Sequence, residues 1–365
     1  MKSDTPAEEG RVGILTYALK RESGESRQAL NFALGLKRRG LAPTIFTIAA
    51  SPDVRAACKA MDITVRFQQS SLGQIDSLGL MLYSDRLASR LAELVRSDDP
   101  CHDYLVVQDA AIPSVAQHLP GRTTYFCCGD MLLLLLHRMF RKTRALAPYL
   151  LSFDFVRALD RHAELVNQFD RVVANSQFTK GLMSYLYNCP VSGVVYPPVD
   201  TEKFSPMLTE PDHTPYAIAV LRDTAEPAYP TVARLAARNR VRIIGRGRVP
   251  DALSLGPLSD PELVEQYSKA QVVVSPSFRE LFGYPIVEAM ACGTPAIAFA
   301  QGAACEIIND GIDGWLATDE DEFIATAEDK LNSGFPKTVR QRCRETALKF
   351  SIDASSAALI RQMGL

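Results

Sequence analysis

From Arg11 onward, short apolar runs alternate with longer amphipathic stretches. A strand inside a parallel sheet is covered on both faces, whereas its covering helix is apolar on one side only. The alternation therefore predicts β/α repetition around parallel sheets. In the first half the strand candidates are Val12–Tyr17, Thr44–Ala49, Asp103–Val107, Thr123–Cys128 and Arg171–Ala174. A helix is expected from about Ser26, with Leu30, Phe32, Ala33, Leu34 and Leu36 on its apolar side. It closes at Lys37-Arg38-Arg39-Gly40, basic residues followed by glycine, as helix ends prefer.

Two prolines in Val194-Val195-Tyr196-Pro197-Pro198-Val199-Asp200 interrupt any regular element, and the alternation restarts at Tyr216. Strands are expected at Tyr216–Leu221, Arg240–Ile244, Gln271–Ser275 and Ala296–Phe299, with helices between them. The fold class is thus α/β, two doubly wound Rossmann-like domains facing each other across a cleft. Ligands in such folds sit beyond the carboxyl ends of the strands. A chain of 365 residues also exceeds what one hydrophobic core usually holds.

Composition removes several function classes. Forty Lys plus Arg against 42 Asp plus Glu leave a net charge of −2, without the basic excess of a general nucleic-acid binder. No apolar run approaches the roughly 20 residues that a membrane helix needs. The polar, acidic start MKSDTPAEEG is unlike a secretory leader, so a cytoplasmic location is expected. None of the eight cysteines forms a C-x-x-C pair and only five histidines are present, which argues for buried reduced thiols and no metal site.

The chemistry concentrates in residues 271–295, QVVVSPSFRELFGYPIVEAMACGTP. A strand here should open into a loop carrying Glu280 and Gly283, with Pro285 at the first helical position and Glu288 one turn on. Amides around Phe282, Gly283 and Tyr284 at a helix N-terminus suit a phosphate. Glu280 can accept hydrogen bonds from sugar hydroxyls, and Glu288 from the vicinal hydroxyls of a ribose. Two glutamates at this spacing also arise by chance, as a solvated loop acid and a helix-start acid. The strand, Gly-aromatic-Pro loop, Glu-Ala-Met helix and Gly-Thr-Pro exit around them supply the signal.

Glu280-x7-Glu288 followed by Ala289-Met290-Ala291-Cys292-Gly293-Thr294-Pro295 resembles the signature of the retaining GT-B glycosyltransferases of family 4. The resemblance continues through Gly302–Ile308 and Asp310-Gly311-Ile312-Asp313-Gly314. It reaches back through Val172–Thr179, the Tyr196–Asp200 segment and the opening strand and helix, Arg11–Gly40. It implies transfer of a sugar, of mannose or glucose type, from a nucleotide diphosphate donor with retention of anomeric configuration. The sugar nucleotide would be a substrate; no separate cofactor and no metal are implied. Residues 1–193, joined by a C-terminal helix at 350–365, would form the acceptor side, and 194–349 the donor-binding domain. Glu280 would contact the transferred sugar, Glu288 the ribose and Arg222 the diphosphate, with the amides near Gly283 assisting. The acceptor would be a saccharide, a lipid-linked molecule or a small molecule. Val156–Arg161, leading into Asn175-Ser176, resembles mannosyltransferase members.

Three departures qualify the resemblance. The family's lysine five residues after the arginine is replaced by Pro227, and no lysine lies between Lys203 and Lys269. Arg246 or Arg248, after Gly245 at the next strand end, would supply a second donor-side cation; two solvated loop arginines are the alternative. Where the family has a histidine, this chain reads Cys127-Cys128-Gly129-Asp130, so Asp130 is a catalytic candidate or merely a helix cap. The family's glycine pair in the first turn is reduced to Gly24, the one place there where a ligand can approach the backbone closely.

The stretch 131–153 combines Met131–Leu136 with Arg138, Arg141, Lys142 and Arg144 and contains no acid before Phe153. It would suit peripheral contact with a membrane face, or form a packed helix with a basic outer side. Asp319-Glu320-Asp321 matches a metal-binding D-x-D only by letters and reads better as acids at a helix start. The missing lysine keeps open a non-catalytic module that binds sugar nucleotides or a partner on the same fold; an epimerase is a third reading.

Overall fold

The computed structural model describes residues 10–20, 24–68, 84–98, 101–107, 113–128, 153–207, 214–221, 228–277 and 280–365. The chain divides into two compact units, residues 1–196 with 355–365, and residues 197–354.

The first unit is built on β1 (Arg11–Leu15), β2 (Ala42–Thr47), β3 (Thr64–Phe67), β4 (Asp103–Val107), β5 (Arg122–Cys127), β6 (Arg171–Ala174) and β7 (Gly193–Val194). They lie in the order β3-β2-β1-β4-β5-β6-β7, every pair parallel. All five residues of β4 are buried, as a central strand covered on both faces requires. Successive side chains leave it on opposite faces. Tyr104 and Val106 join Leu15, Phe46 and Tyr125 in one core. Leu105 and Val107 join Ile14, Ile45 and Phe126 in the other, under Phe32 and Leu36 of the helix Gly24–Arg38.

That helix starts two residues before the sequence suggested, because Ser26 does not initiate it. Its buried hydroxyl donates to the Ala18 carbonyl at 2.9 Å and accepts the Lys20 amide at 2.8 Å, tying the helix back to the strand exit. The second strand likewise begins earlier, at Ala42, and stops at Thr47, whose hydroxyl donates to the Tyr17 carbonyl at 2.9 Å. The last helix, Ile352–Met363, buries Leu359 and Met363 in the first unit's core.

The second unit contains β8 (Ala217–Val220), β9 (Val241–Ile244), β10 (Leu253–Gly256), β11 (Val272–Ser275), β12 (Ala296–Phe299) and β13 (Gly314–Ala317). Their order is β10-β9-β8-β11-β12-β13, again parallel throughout. Counted from its own first strand, each unit has the 3-2-1-4-5-6 order of a doubly wound nucleotide-binding fold, with an extra edge strand in the first. Phe299 meets Phe323 of the helix Glu320–Asn332 at 5.0 Å between ring centroids. All eight cysteines are free thiols, and no helix among the described residues is long and apolar enough to cross a membrane.

The Asp310–Gly314 block proves to be a structural knot. Asp313 is buried and accepts from the Asn309 amide at 2.8 Å, the Asn309 side chain and the Thr346 hydroxyl at 2.8 Å. Gly314 leaves room for the Ala296 carbonyl, which a Cβ would approach to 2.6 Å. Removing the carboxylate takes an acceptor from three donors at once, of which the Asn309 side chain keeps the Thr346 hydroxyl at 3.4 Å. Asp313→Ala should therefore lower stability by about 3 kcal/mol, the scale of a buried charged acceptor lost from its partners. Denaturant unfolding of the variant against the parent checks this; an unchanged midpoint would contradict it.

Candidate functional site

In the second unit, β8 and β11 are neighbours in the sheet, while the chain leaves them toward opposite edges. This is the topological switch point, where the crevice of a doubly wound sheet opens. Beyond β8 the described chain stops at Leu221; Arg222 and the Pro227 that replaces the lysine lie outside the described residues. Beyond β11 come Pro276, Ser277 and then Glu280, which is half-buried and lies outside any helix or strand.

Three residues later the chain turns into the helix Tyr284–Ala291. Gly283 caps it with φ 91° and ψ 59°, the left-handed region that a Cβ disfavours. Its carbonyl accepts the Ile286 amide at 3.0 Å and the Val287 amide at 3.2 Å. Tyr284 takes the first helical position and Pro285 the second, one later than expected, because the turn begins on the Gly283 carbonyl. Phe282 is buried between the Tyr284 and Phe350 rings, at 5.2 and 5.8 Å.

The missing Cβ at Gly283 also creates space for the glutamate. A Cβ there would stand 3.1 Å from Glu280 Cγ and 3.5 Å from its carboxyl carbon. The acid is thus packed beside the positive end of the helix, a favourable place for negative charge. Glu288, one turn along, is only 3 % exposed. Its field reaches Cys292 on the next turn, whose thiol is pushed up to about 12. Burial is the main cause; Glu288 adds to it, while a hydrogen bond with Ser268 and the nearby Arg344 oppose it. Arg344 itself donates to the carbonyls of Ala291, at 3.0 Å, and Phe204, at 2.7 Å.

Two further loops reach this end of the sheet. After β12, the Ala303 amide donates to the Glu280 carbonyl at 2.9 Å, a contact that sequence spacing does not reveal. After β9, Gly245 has φ 106° and donates its amide to Gly256 at 2.9 Å, while Gly247 donates to Leu221 at 3.1 Å. The turn carrying Arg246 and Arg248, both exposed, is therefore pinned to the residue that precedes Arg222. The Gly245 amide is spent within the sheet.

In the first unit, Gly24 opens its helix with nothing within 4 Å of where a Cβ would stand. Cys128, at the end of β5, donates to Gln28 at 2.8 Å and receives the Asn175 side chain on its carbonyl at 3.1 Å. Ser176 caps the helix Gln177–Tyr187 by accepting the Thr179 amide at 3.0 Å, so Asn175–Thr179 carries a structural role. Asp130 and the basic stretch with Arg138, Arg141, Lys142 and Arg144 lie outside the described residues. Asp319 caps its helix through the Glu322 amide at 2.9 Å, and Glu320 and Asp321 pair with Arg234, which explains the D-x-D letters.

Two Rossmann-like units of this strand order are the framework of the GT-B glycosyltransferases. Residues 251–350, spanning β10 to the 3₁₀ turn at Phe350, match the family described as glycosyl transferases group 1. D-inositol 3-phosphate glycosyltransferase of Mycobacterium sp. (strain KMS) is 30 % identical over 222 residues, 52 % of this chain and 50 % of that protein. The chain thus spans about half the length of the curated relatives it matches. Among solved structures, sucrose-phosphate synthase (tll1590) from Thermosynechococcus elongatus has a TM-score of 0.76 at 16 % identity, covering 97 % of this chain and 99 % of that one. Anabaena Alr3699/HepE in complex with UDP and glucose has a TM-score of 0.70 at 16 % identity, with coverage of 97 % and 99 %. At such identities the likeness establishes the fold.

The Gly283 geometry has a direct consequence. Gly283→Ala should cost about 1–2 kcal/mol from the left-handed backbone alone, and should crowd the Glu280 side chain in addition. Thermal unfolding compared with Gly181→Ala is the check. Position 181 is helical with nothing near a new Cβ, so that variant should unfold at the same or a higher temperature. Equal destabilisation of both variants would contradict the reading.

Proposed function

We propose that the protein is a metal-independent retaining glycosyltransferase of family 4 type, using a nucleotide diphosphate sugar of glucose or mannose type. The observation that carries this is the grouping of Glu280 beside the left-handed cap Gly283, with Glu288 one helical turn on, at the switch point of the second sheet. It lies inside the segment matching group 1 glycosyltransferases. The UDP and glucose held by the Anabaena neighbour support a sugar-nucleotide donor.

In this reading the diphosphate meets the helix N-terminus at Gly283, where the helix dipole favours its charge. Phe282 and Tyr284 shape that turn. The costly event is departure of the nucleoside diphosphate, so oriented amides and cations meeting that charge are the main electrostatic catalysts. Arg222 supplies one cation, and Arg246 or Arg248, carried on the turn pinned to Leu221, replaces the absent lysine. Glu280 orients the transferred sugar, and Glu288 accepts from the ribose hydroxyls. The first unit receives the acceptor, with Gly24 opening the backbone and Asp130 contacting acceptor or sugar. D-inositol 3-phosphate is the first acceptor to try, because the matched relatives are named for it.

Calorimetry with UDP, UDP-glucose, GDP and GDP-mannose, followed by a donor-hydrolysis assay, tests this. Glu288→Gln should weaken nucleoside diphosphate binding about 10–100-fold, the worth of a charge-assisted hydrogen bond. Glu280→Gln should lower kcat for donor hydrolysis about 100-fold while leaving donor affinity nearly intact, as lost orientation does. Parent-like binding and turnover in both variants would sink the site assignment. Binding by the parent with neither hydrolysis nor transfer would favour the non-catalytic module, which the missing lysine motivates.

A further inference from the structure

Glu280 has no regular element of its own to fix it: β11 ends at Ser275, and the helix begins only at Tyr284. Something else must hold its backbone. The loop after β12 does so from Gly302 and Ala303, 22 and 23 residues downstream in the sequence. The Ala303 amide donates to the Glu280 carbonyl at 2.9 Å. Gly302, with φ 63°, lies directly against the same peptide: a Cβ there would stand 2.4 Å from the Glu280 oxygen and 3.3 Å from both its carbonyl carbon and its nitrogen.

No side chain fits at 302 without moving Glu280, since a backbone atom cannot swing aside as a flexible side chain does. The loop itself is anchored: Ala300 donates to Ala317 of β13 at 2.8 Å, and Gln301 to Phe299 of β12 at 2.7 Å. Its tip also has little freedom, with Gly302 in the left-handed region and Ala303 fully buried. On its other side the Glu280 side chain lies against Gly283. The glutamate is held between two glycines, one contacting its backbone and the other its carboxylate stem.

We infer that Gly302 is a positioning residue, which sets the place of the Glu280 carboxylate by bearing on its peptide through the β12 loop. This rests on the assignment of Glu280 to the transferred sugar proposed above. A Cβ at 302 must push the Glu280 peptide outward, and displacement of about 1 Å at a reacting centre costs about 100-fold in rate. The phosphate and ribose contacts, made by the helix and Glu288, stay in place. The signature is therefore a loss in kcat with KM for the donor preserved.

A double-mutant cycle on the full chain tests this, with release of nucleoside diphosphate from UDP-glucose and GDP-mannose as the readout. Gly302→Ala is expected to lower kcat about 100-fold with KM within threefold of the parent. In a Glu280→Gln background it should lower kcat no further, because residues acting through one group are non-additive. Equal fold-losses in both backgrounds, or a parent-like kcat for Gly302→Ala, would overturn the inference. Amide exchange in the parent protein gives a second arm that needs no variant to fold. The Ala303 amide should be protected in the ligand-free state; exchange at the rate of an open loop would also overturn it. A parent protein that neither binds nor hydrolyses either donor fails at an earlier step, and that distinct result removes the proposed function together with this inference.

Discussion

Parallel pairing is the constraint on which the rest of the molecule depends. Parallel strands cannot be joined by hairpins, so each connection must cross a sheet face and return to the starting edge. All strands of a unit therefore release their chains at the same edge. The order reverses once, between β8 and β11 in the second unit, and the departing chains diverge there. Glu280, Gly283 and Glu288 follow from that divergence: one chain exits, turns through a left-handed glycine and enters a helix. The β9 and β12 loops reach the same edge for the same reason, which is why Ala303 can meet Glu280 at all.

Much of this was legible in the chain. Val272–Val274 and Ala296–Phe299 are continuous apolar runs, and they lie in interior strands of the second sheet. Gly283 followed by a tyrosine and a proline announced a helix start. What spacing could not give were contacts between segments far apart in sequence. Gly302 stood in a recognisable block, yet its reason, the Glu280 carbonyl, is set by tertiary packing. A helix is expected from about Ser26, yet Ser26 lies inside it and reaches back to Ala18, since a buried hydroxyl can serve the preceding strand exit as well as its own helix.

Several blocks that resemble the transferase family carry architecture rather than chemistry. Asn175–Thr179 caps a helix and grips Cys128; Asp310–Gly314 closes a turn around a buried carboxylate. Such a signature mixes two kinds of residue that letters alone cannot separate. Geometry separates them: a side chain whose hydrogen bonds end on its own unit's turns and carbonyls is holding the fold. The Gly245 amide, spent on Gly256, belongs to that kind.

The division of the chain bears on how it is made. Residues 197–354 form an uninterrupted segment whose two ends are already joined, Val199 donating to Phe350 at 2.8 Å and Ile352 donating back at 3.1 Å. The first unit is split around it and lacks Leu359 and Met363 until the last helix is delivered. On a ribosome, the unit that begins second is complete in sequence first. The earlier unit must wait with part of its core uncovered, so the order of closure in the nascent protein runs opposite to the order of reading.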